Sequence, residues 1–423
     1  MKKTLRTIVT LALMLTFLLG VFPMRYASAE NICMDAVEQT KNNPYQKTVA
    51  AIDAKKPAAQ RQLDHYDNKT GKKISGNCNI SSIITLINRR LAYDNRNVTF
   101  RVADAMKAYK CTNYTQSGNK LYYPNNNCSD GWASTTYKID GYSYQAKSIK
   151  KKTVEDAIKA YGSYSFENFC QYIALLLHEH PEGIAARFYY SGKSGGHVFV
   201  FTKYELVGNK IQLYVYDPVN DSGNMKLENS YMYKNAGKGN IHKNLHFLCY
   251  LKGSEPISFL SANTVASFEK QSCSLVPYVG TRNTSYTSSN TAAATVDSSG
   301  KVTMKKTGAA EITVCVGGKS EKVKVVVFEP ARIKSLSNVV YHSVNVSWER
   351  CVCGSGYEIQ YSTSSSFSDA KSVKVKDSSA SQKKIGSLSF GKTYYFRIRS
   401  YVVYNGTTVY SDWSKAESKK ILL

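Results

Sequence analysis

The chain has 423 residues, 43% of them hydrophobic, and a formal net charge of +25. That apolar content excludes wholesale disorder, and the length accommodates roughly two to four domains. The basic balance favours anionic partners such as wall polymers, acidic glycans or lipid head groups, whereas scattered cations without an accompanying motif argue against nucleic acid.

Lys2, Lys3 and Arg6 precede an apolar run from Ile8 to Phe22, and Ala27-Ser28-Ala29 follows as a small-residue cleavage site. Residues 1–29 therefore read as a secretory signal peptide, too short and wrongly flanked for a spanning helix. Cys33 follows Glu30, Asn31 and Ile32 rather than the small residues of a lipoprotein signal, and no second apolar stretch reaches membrane length. The expected product is secreted and extracellular, with no membrane span.

Ten cysteines in an exported chain suggest disulfides. Cys111 and Cys128 bracket a polar segment and are the best-placed pair; Cys273 with Cys315 is the next. Cys351 and Cys353 are too close in sequence to pair with each other on a strand. The tyrosine-rich stretch 109–144 reads as a polar exported loop.

From Ser75 to Asn95, Ile80, Ile83, Ile84, Ile87 and Leu91 recur at helical spacing. Gly76 lets the chain turn in, and Asn77 or Asn79 can cap, so Cys78 stands at a helix N-terminus. Unpaired N–H groups and the positive dipole end favour a thiolate there. Downstream, a helix ends in QYIALLLH, and Pro181 and Gly183 break it. His178, Glu179, His180 and Glu182 read as a polar helix end, because their spacing is not that of a zinc motif. Ile184–Tyr190 reads as a strand, and after SGKSGG a second strand opens on His197. Gly208-Asn209 turns the chain into a third strand ending at Asp217-Pro218. A strict two-residue turn would put His197 and Asp217 on opposite faces, whereas an odd turn or a single bulge would put them on the same face. In a working site Asp217 would accept one imidazole N–H, and the other ring nitrogen would take the Cys78 proton.

From residue 256 onward, short strands alternate with Ser/Thr/Gly turns, the pattern of β-sandwiches. The run from Tyr286 to Val316 alternates strands with turns at Ser288-Ser289-Asn290, Gly300 and Gly308. Further on, Trp348, Tyr357 and Tyr361, then LSFGKTYYFRIRS and YSDWS, give a second such pattern.

These residues carry three resemblances. A Cys at a helix start, Gly-Gly-His opening a strand and Tyr-Asp-Pro closing the next resemble the papain-like cysteine peptidases, the bacteriocin-processing branch most closely. That resemblance implies Cys78, His197 and Asp217 as a catalytic triad acting on a peptide or protein substrate, with no cofactor and no metal. The family usually places an oxyanion-donating Gln about six residues before the Cys; here that position is Lys72, so Lys72 or Asn77 would have to serve. Transglutaminase-like proteins share the residue order, and a catalytically inactive surface-binding protein is the other alternative. Residues 256–329 resemble the bacterial immunoglobulin-like group 2 domain, and residues 330–423 the fibronectin type III domain. The expected fold is an α+β papain-like domain over residues 30–255 followed by two all-β immunoglobulin-like sandwiches. The expected setting is a cell-wall polymer or host surface to which the sandwiches bind.

Overall fold

The computed structural model describes residues 43–423 except 77, 112, 124–130, 192–194, 221–222, 236–238, 340–341, 352–354, 405–406 and 423. The signal segment, Cys33, Asn77, Cys128 and Cys353 lie outside the described residues.

The first part of the chain interleaves helices and strands. In order they are α1 (Pro44–Ala54), β1 (Asp64–Asp67), β2 (Lys73–Gly76), α2 (Cys78–Tyr93), α3 (Val102–Ala108), β3 (Thr115–Ser117), β4 (Lys120–Tyr123), β5 (Thr136–Ile139) and β6 (Tyr142–Lys150). There follow α4 (Lys151–Lys159), α5 (Phe166–Glu179), β7 (Ile184–Tyr189), β8 (Gly196–Val207), β9 (Lys210–Tyr216), β10 (Asn224–Lys226), α6 (Tyr231–Asn235) and β11 (Leu245–Leu251). Seven strands form one antiparallel sheet in the order β10-β9-β8-β7-β11-β6-β5. Helix α2 covers one face, packing Ile80, Ile83 and Ile87 with Ala185, Val198, Val200 and Cys249. Helix α5 covers the other, packing Phe169, Ile173 and Leu176 with Ala186, Phe188, Phe199 and Phe201. Burial on both faces explains the continuous apolar run at the start of β8, where strict alternation is absent.

Helix α2 is enclosed almost all round, so its polar side chains need internal partners. Asn88 donates to the Ala58 and Phe100 carbonyls at 2.8 and 2.9 Å and accepts from the Phe100 N–H at 2.7 Å. Arg89 pairs with Asp53 at 2.6 Å, and Arg90 with Asp94 at 2.9 Å.

One sequence expectation fails here: the described residues of the stretch 109–144 form β3, β4, β5 and the start of β6 and bury Tyr123 and Tyr137. Residues 178–182 do end the helix, but within the interior, since His178 and Glu182 are 2% and 0% exposed. His178 Nε2 lies 2.7 Å from the Tyr204 hydroxyl, and the Ser254 hydroxyl donates to Glu182 at 2.7 Å.

A first β-sandwich follows, with a four-stranded sheet (264–268, 319–328, 308–316 and 284–288) facing a three-stranded one (272–274, 301–304 and 294–296). The strands and turns expected around Ala294–Val296, Lys301–Met304 and Glu311–Val316 are present. A Cys273–Cys315 disulfide is not. Both residues are thiols: Cys273 points into the core from the three-stranded sheet, whereas Cys315 points away from it on the opposing sheet. Cys111 is disulfide-bonded. The last part is a second sandwich whose two sheets enclose Trp348, Tyr357, Ile359, Phe396 and Ile398. The Tyr394 hydroxyl accepts from the Ser389 N–H at 3.2 Å, tying the loop to the strand that follows it.

The first sandwich is docked on α5. Asn283 donates to Asn168 at 3.0 Å, Gln171 donates to the Arg282 carbonyl at 2.6 Å, and Lys319 pairs with Glu179 at 2.6 Å. One apolar cluster runs from the α5 side of the sheet into this sandwich.

Candidate functional site

Cys78 is the first residue of α2, half-buried against the cluster on that face of the sheet. At a helix start the unpaired N–H groups and the positive dipole end favour a thiolate. His197 is the second residue of β8 and Asp217 directly follows β9. Both side chains are buried, at 2% and 0% exposure.

Their alignment turns on one residue. The β8–β9 hairpin has a two-residue turn, with Val207 opposite Lys210 and Gly208 in the left-handed region at φ 61°. By itself this turn would separate His197 and Asp217 onto opposite faces. The register shifts between Phe201 and Lys203, leaving Thr202 as a bulge. The extra residue restores the parity, and His197 Nε2 comes to lie 2.7 Å from Asp217 Oδ1. Asp217 also accepts from the Val219 N–H at 3.2 Å and the Tyr231 N–H at 2.9 Å.

With Nε2 committed to Asp217, the other ring nitrogen is left for Cys78, with which His197 hydrogen-bonds. Burial alone pushes the Cys78 thiol up, but the hydrogen bond and charge of His197 outweigh it. The Val198 backbone and Arg187 act in the same direction, so the thiol sits below its ordinary value. Burial would lower His197, yet its bonds to Asp217 and Cys78 hold it up at about 9. The arrangement favours a thiolate–imidazolium pair, the reactive form of a nucleophilic cysteine.

Gly196 explains part of the Gly-Gly before His197, since a Cβ there would stand 2.2 Å from the Phe188 carbonyl. The Tyr231 ring meets the His197 ring edge-on at 6.0 Å, and Tyr190 meets Tyr231 at 6.2 Å. These rings wall the dyad at the open end of the hairpin. A separate cleft of about 390 Å³ opens at the opposite end, where Asn209 and Gln212 face Val279 and Arg282 of the first sandwich.

Lys72 is not brought to the thiol. It is exposed in the β1–β2 turn, its carbonyl accepting from the Asp67 N–H at 2.9 Å. β2 then runs extended from Lys73 to Gly76, which carries Lys72 roughly 13 Å from Gly76 at ~3.3 Å per residue. Asn77 lies outside the described residues.

Another polar residue, not signalled by its spacing, approaches the same end of α2. Residues 58–62 run antiparallel along α2: Asn88 donates to Ala58, Gln60 donates to Thr85 at 3.1 Å, and Ser81 donates to Arg61 at 2.8 Å. Gln62 therefore arrives at the Cys78 end, where its backbone N–H donates to the Pro218 carbonyl at 2.8 Å. Its Oε1 is buried without a hydrogen-bond partner. The β1–β2 hairpin lies between Gln62 and Cys78 in sequence, which hides the juxtaposition from any fixed spacing.

Among the described residues, no cluster of His, Cys, Asp and Glu has the arrangement of a metal site, and no helix is long and apolar enough to cross a membrane.

Compared with known proteins, residues 280–318 match the model of the intimin immunoglobulin-like domain. No curated protein matches the chain. Among solved structures, a computationally redesigned β-sandwich protein is 18% identical, covering 22% of this chain and 88% of its own, with TM-score 0.18. The fn3 domain of human contactin 1 is 15% identical, covering 21% of this chain and 75% of its own, with TM-score 0.18. A structure described as a myokine is 12% identical, covering 22% of this chain and 96% of its own, with TM-score 0.18. The similarity to the intimin immunoglobulin-like domain thus falls within the first sandwich, at residues 280–318.

Proposed function

We propose that the chain is a secreted thiol peptidase of papain-like type, with two sandwich modules, of the bacterial immunoglobulin-like group 2 and fibronectin type III kinds, that hold it near a cell surface. One observation carries this reading: a cysteine on a helix N-terminus shares a hydrogen bond with a histidine whose far nitrogen is fixed by a buried aspartate.

The chemistry follows from the geometry. The Cys78 thiolate attacks the amide carbonyl carbon, and the carbonyl π pair moves onto oxygen. Collapse of that intermediate breaks the C–N bond, and the His197 imidazolium gives its proton to the leaving amine. A thioester remains on Cys78. Neutral His197 then takes a proton from water as the water oxygen attacks the thioester, releasing the acid and restoring the ion pair. Asp217 holds the imidazole in the required tautomer throughout. Gln62, with the Cys78 N–H, would steady the developing oxyanion; losing one such donor costs roughly a hundred- to thousandfold in rate.

Alkylation by iodoacetamide with mass-spectrometric mapping of the full secreted chain is the direct test. Cys78 should react far faster at pH 7 than an ordinary exposed thiol, and C78A should lose cleavage of a general protein substrate. An unreactive Cys78, or a C78A protein that still cleaves, overturns the reading in favour of a surface-binding protein.

A further inference from the structure

Arg187 lies on β7 directly opposite Val198, the residue after His197. Alternation along β7 puts Arg187 and Tyr189 on the face that carries Ala185, which is also the face covered by α2 and Cys78. On the neighbouring strand Phe247 stands opposite Arg187. The Tyr189 and His246 rings lie 4.6 Å apart, and Trp132 tilts against Phe247 at 5.3 Å. Arg187 therefore stands in an aromatic frame beside the thiol.

Among the buried and half-buried arginines, Arg89, Arg90 and Arg399 each meet a carboxylate within 2.9 Å, and Arg397 meets the Gln360 amide oxygen at 2.6 Å. Arg187 is half-buried and, among the described residues, meets neither an acid nor a hydrogen-bond acceptor. The charge it faces is the Cys78 thiolate; once that sulfur is acylated the guanidinium is left in a partly desolvated frame with no anion, which is costly unless the substrate supplies one. A carboxylate does so best, because the planar fork accepts it in two parallel hydrogen bonds.

We propose that Arg187, framed by Tyr189, His246 and Phe247, is a subsite that binds a substrate carboxylate next to the bond to be cut. The assignment rests on Cys78 being the nucleophile. It makes the substrate an acidic peptide, carrying either a Glu or Asp side chain or a free C-terminal carboxylate beside the cleaved bond. The basic balance of the whole chain would draw such a peptide in.

The test compares two reagents on the full-length protein, anionic iodoacetate and neutral iodoacetamide, by their rates at Cys78. The ratio of iodoacetate to iodoacetamide rates should fall about tenfold in R187Q, while R187K, which keeps the charge, should retain most of it. A reactive Cys78 whose ratio is the same in R187Q overturns the subsite and leaves the peptidase reading standing; an unreactive Cys78 overturns both. A second arm needs no variant. Peptides with Glu or Asp replaced by Gln or Asn, and with free or amidated C-termini, should show a kcat/KM loss of about tenfold with one of the two neutralisations, which names the carboxylate's source. Equal kcat/KM across the whole series would overturn the proposal.

Discussion

Asp217 accepts from His197 Nε2 at 2.7 Å while both side chains are withdrawn from water, and two backbone N–H groups, from Val219 and Tyr231, converge on the same carboxylate. A carboxylate held by three donors is fixed in place, so the imidazole it orients is fixed as well.

That relationship sets the expectation for D217N. The amide keeps the shape but turns a strong acceptor into a weaker one and presents its N–H₂ to donors. His197 should lose its raised proton affinity, and Cys78 its thiolate. Peptide cleavage is expected to fall by about 10³–10⁴, and alkylation of Cys78 at pH 6 to slow markedly. Wild-type alkylation rates in D217N would rule out the coupling.

The ion pair also fixes a pH profile. Cys78 titrates below its ordinary value, and His197 is raised to about 9. Activity should rise as the thiolate forms, hold across neutral pH, and fall as the imidazolium deprotonates near pH 9. The stability contribution has the same sense. A histidine raised above 6.5 stabilises the fold fully below that value, and the contribution is lost as pH climbs through about 9. A profile whose alkaline limb lies near pH 7 would contradict this.

Glu182 makes a separate pH prediction. Burial pushes its carboxyl up to about 7, with Arg90 and the Ser254 hydroxyl only partly opposing. A raised carboxyl stabilises the fold below its unfolded value near 4.5, and that stability is lost as pH rises through 7. Stability against thermal unfolding should therefore fall between pH 5 and 8, by on the order of 2–3 kcal/mol, and E182Q should flatten that slope. An unchanged slope in E182Q would place the titration elsewhere.

Gly318 tests the docking of the first sandwich. It adopts φ 88°, and a Cβ there would stand 1.9 Å from the Tyr161 ring. G318A should cost about 1–2 kcal/mol for the left-handed backbone and push Tyr161 out of place. Limited proteolysis should then cut the connection around 252–258 faster than in the wild type. Equal protection would mean that the interface absorbs the change.

Much of this protein was legible in one dimension, wherever local rules suffice. The spacing of Ile80 to Leu91 placed Cys78 at a helix start, and turn residues at Ser288–Asn290, Gly300 and Gly308 marked out the strands of the first sandwich. The Gly-Gly before His197 marked the turn from which the next strand opens. What local rules could not supply was parity, reach and pairing. The Thr202 bulge, which sets His197 and Asp217 on one face, arises in a strand buried on both sides, where apolar residues give no alternation to read. Gln62 comes to the Cys78 end of the helix only because a hairpin folds out between them, and Lys72 is carried off by that same hairpin despite its nearer sequence position. Cys273 and Cys315 stay apart because one faces the core and the other faces away from it. Residue types and their local periodicity belong to the chain; which of them meet is decided by strand register and by packing on both faces of one sheet.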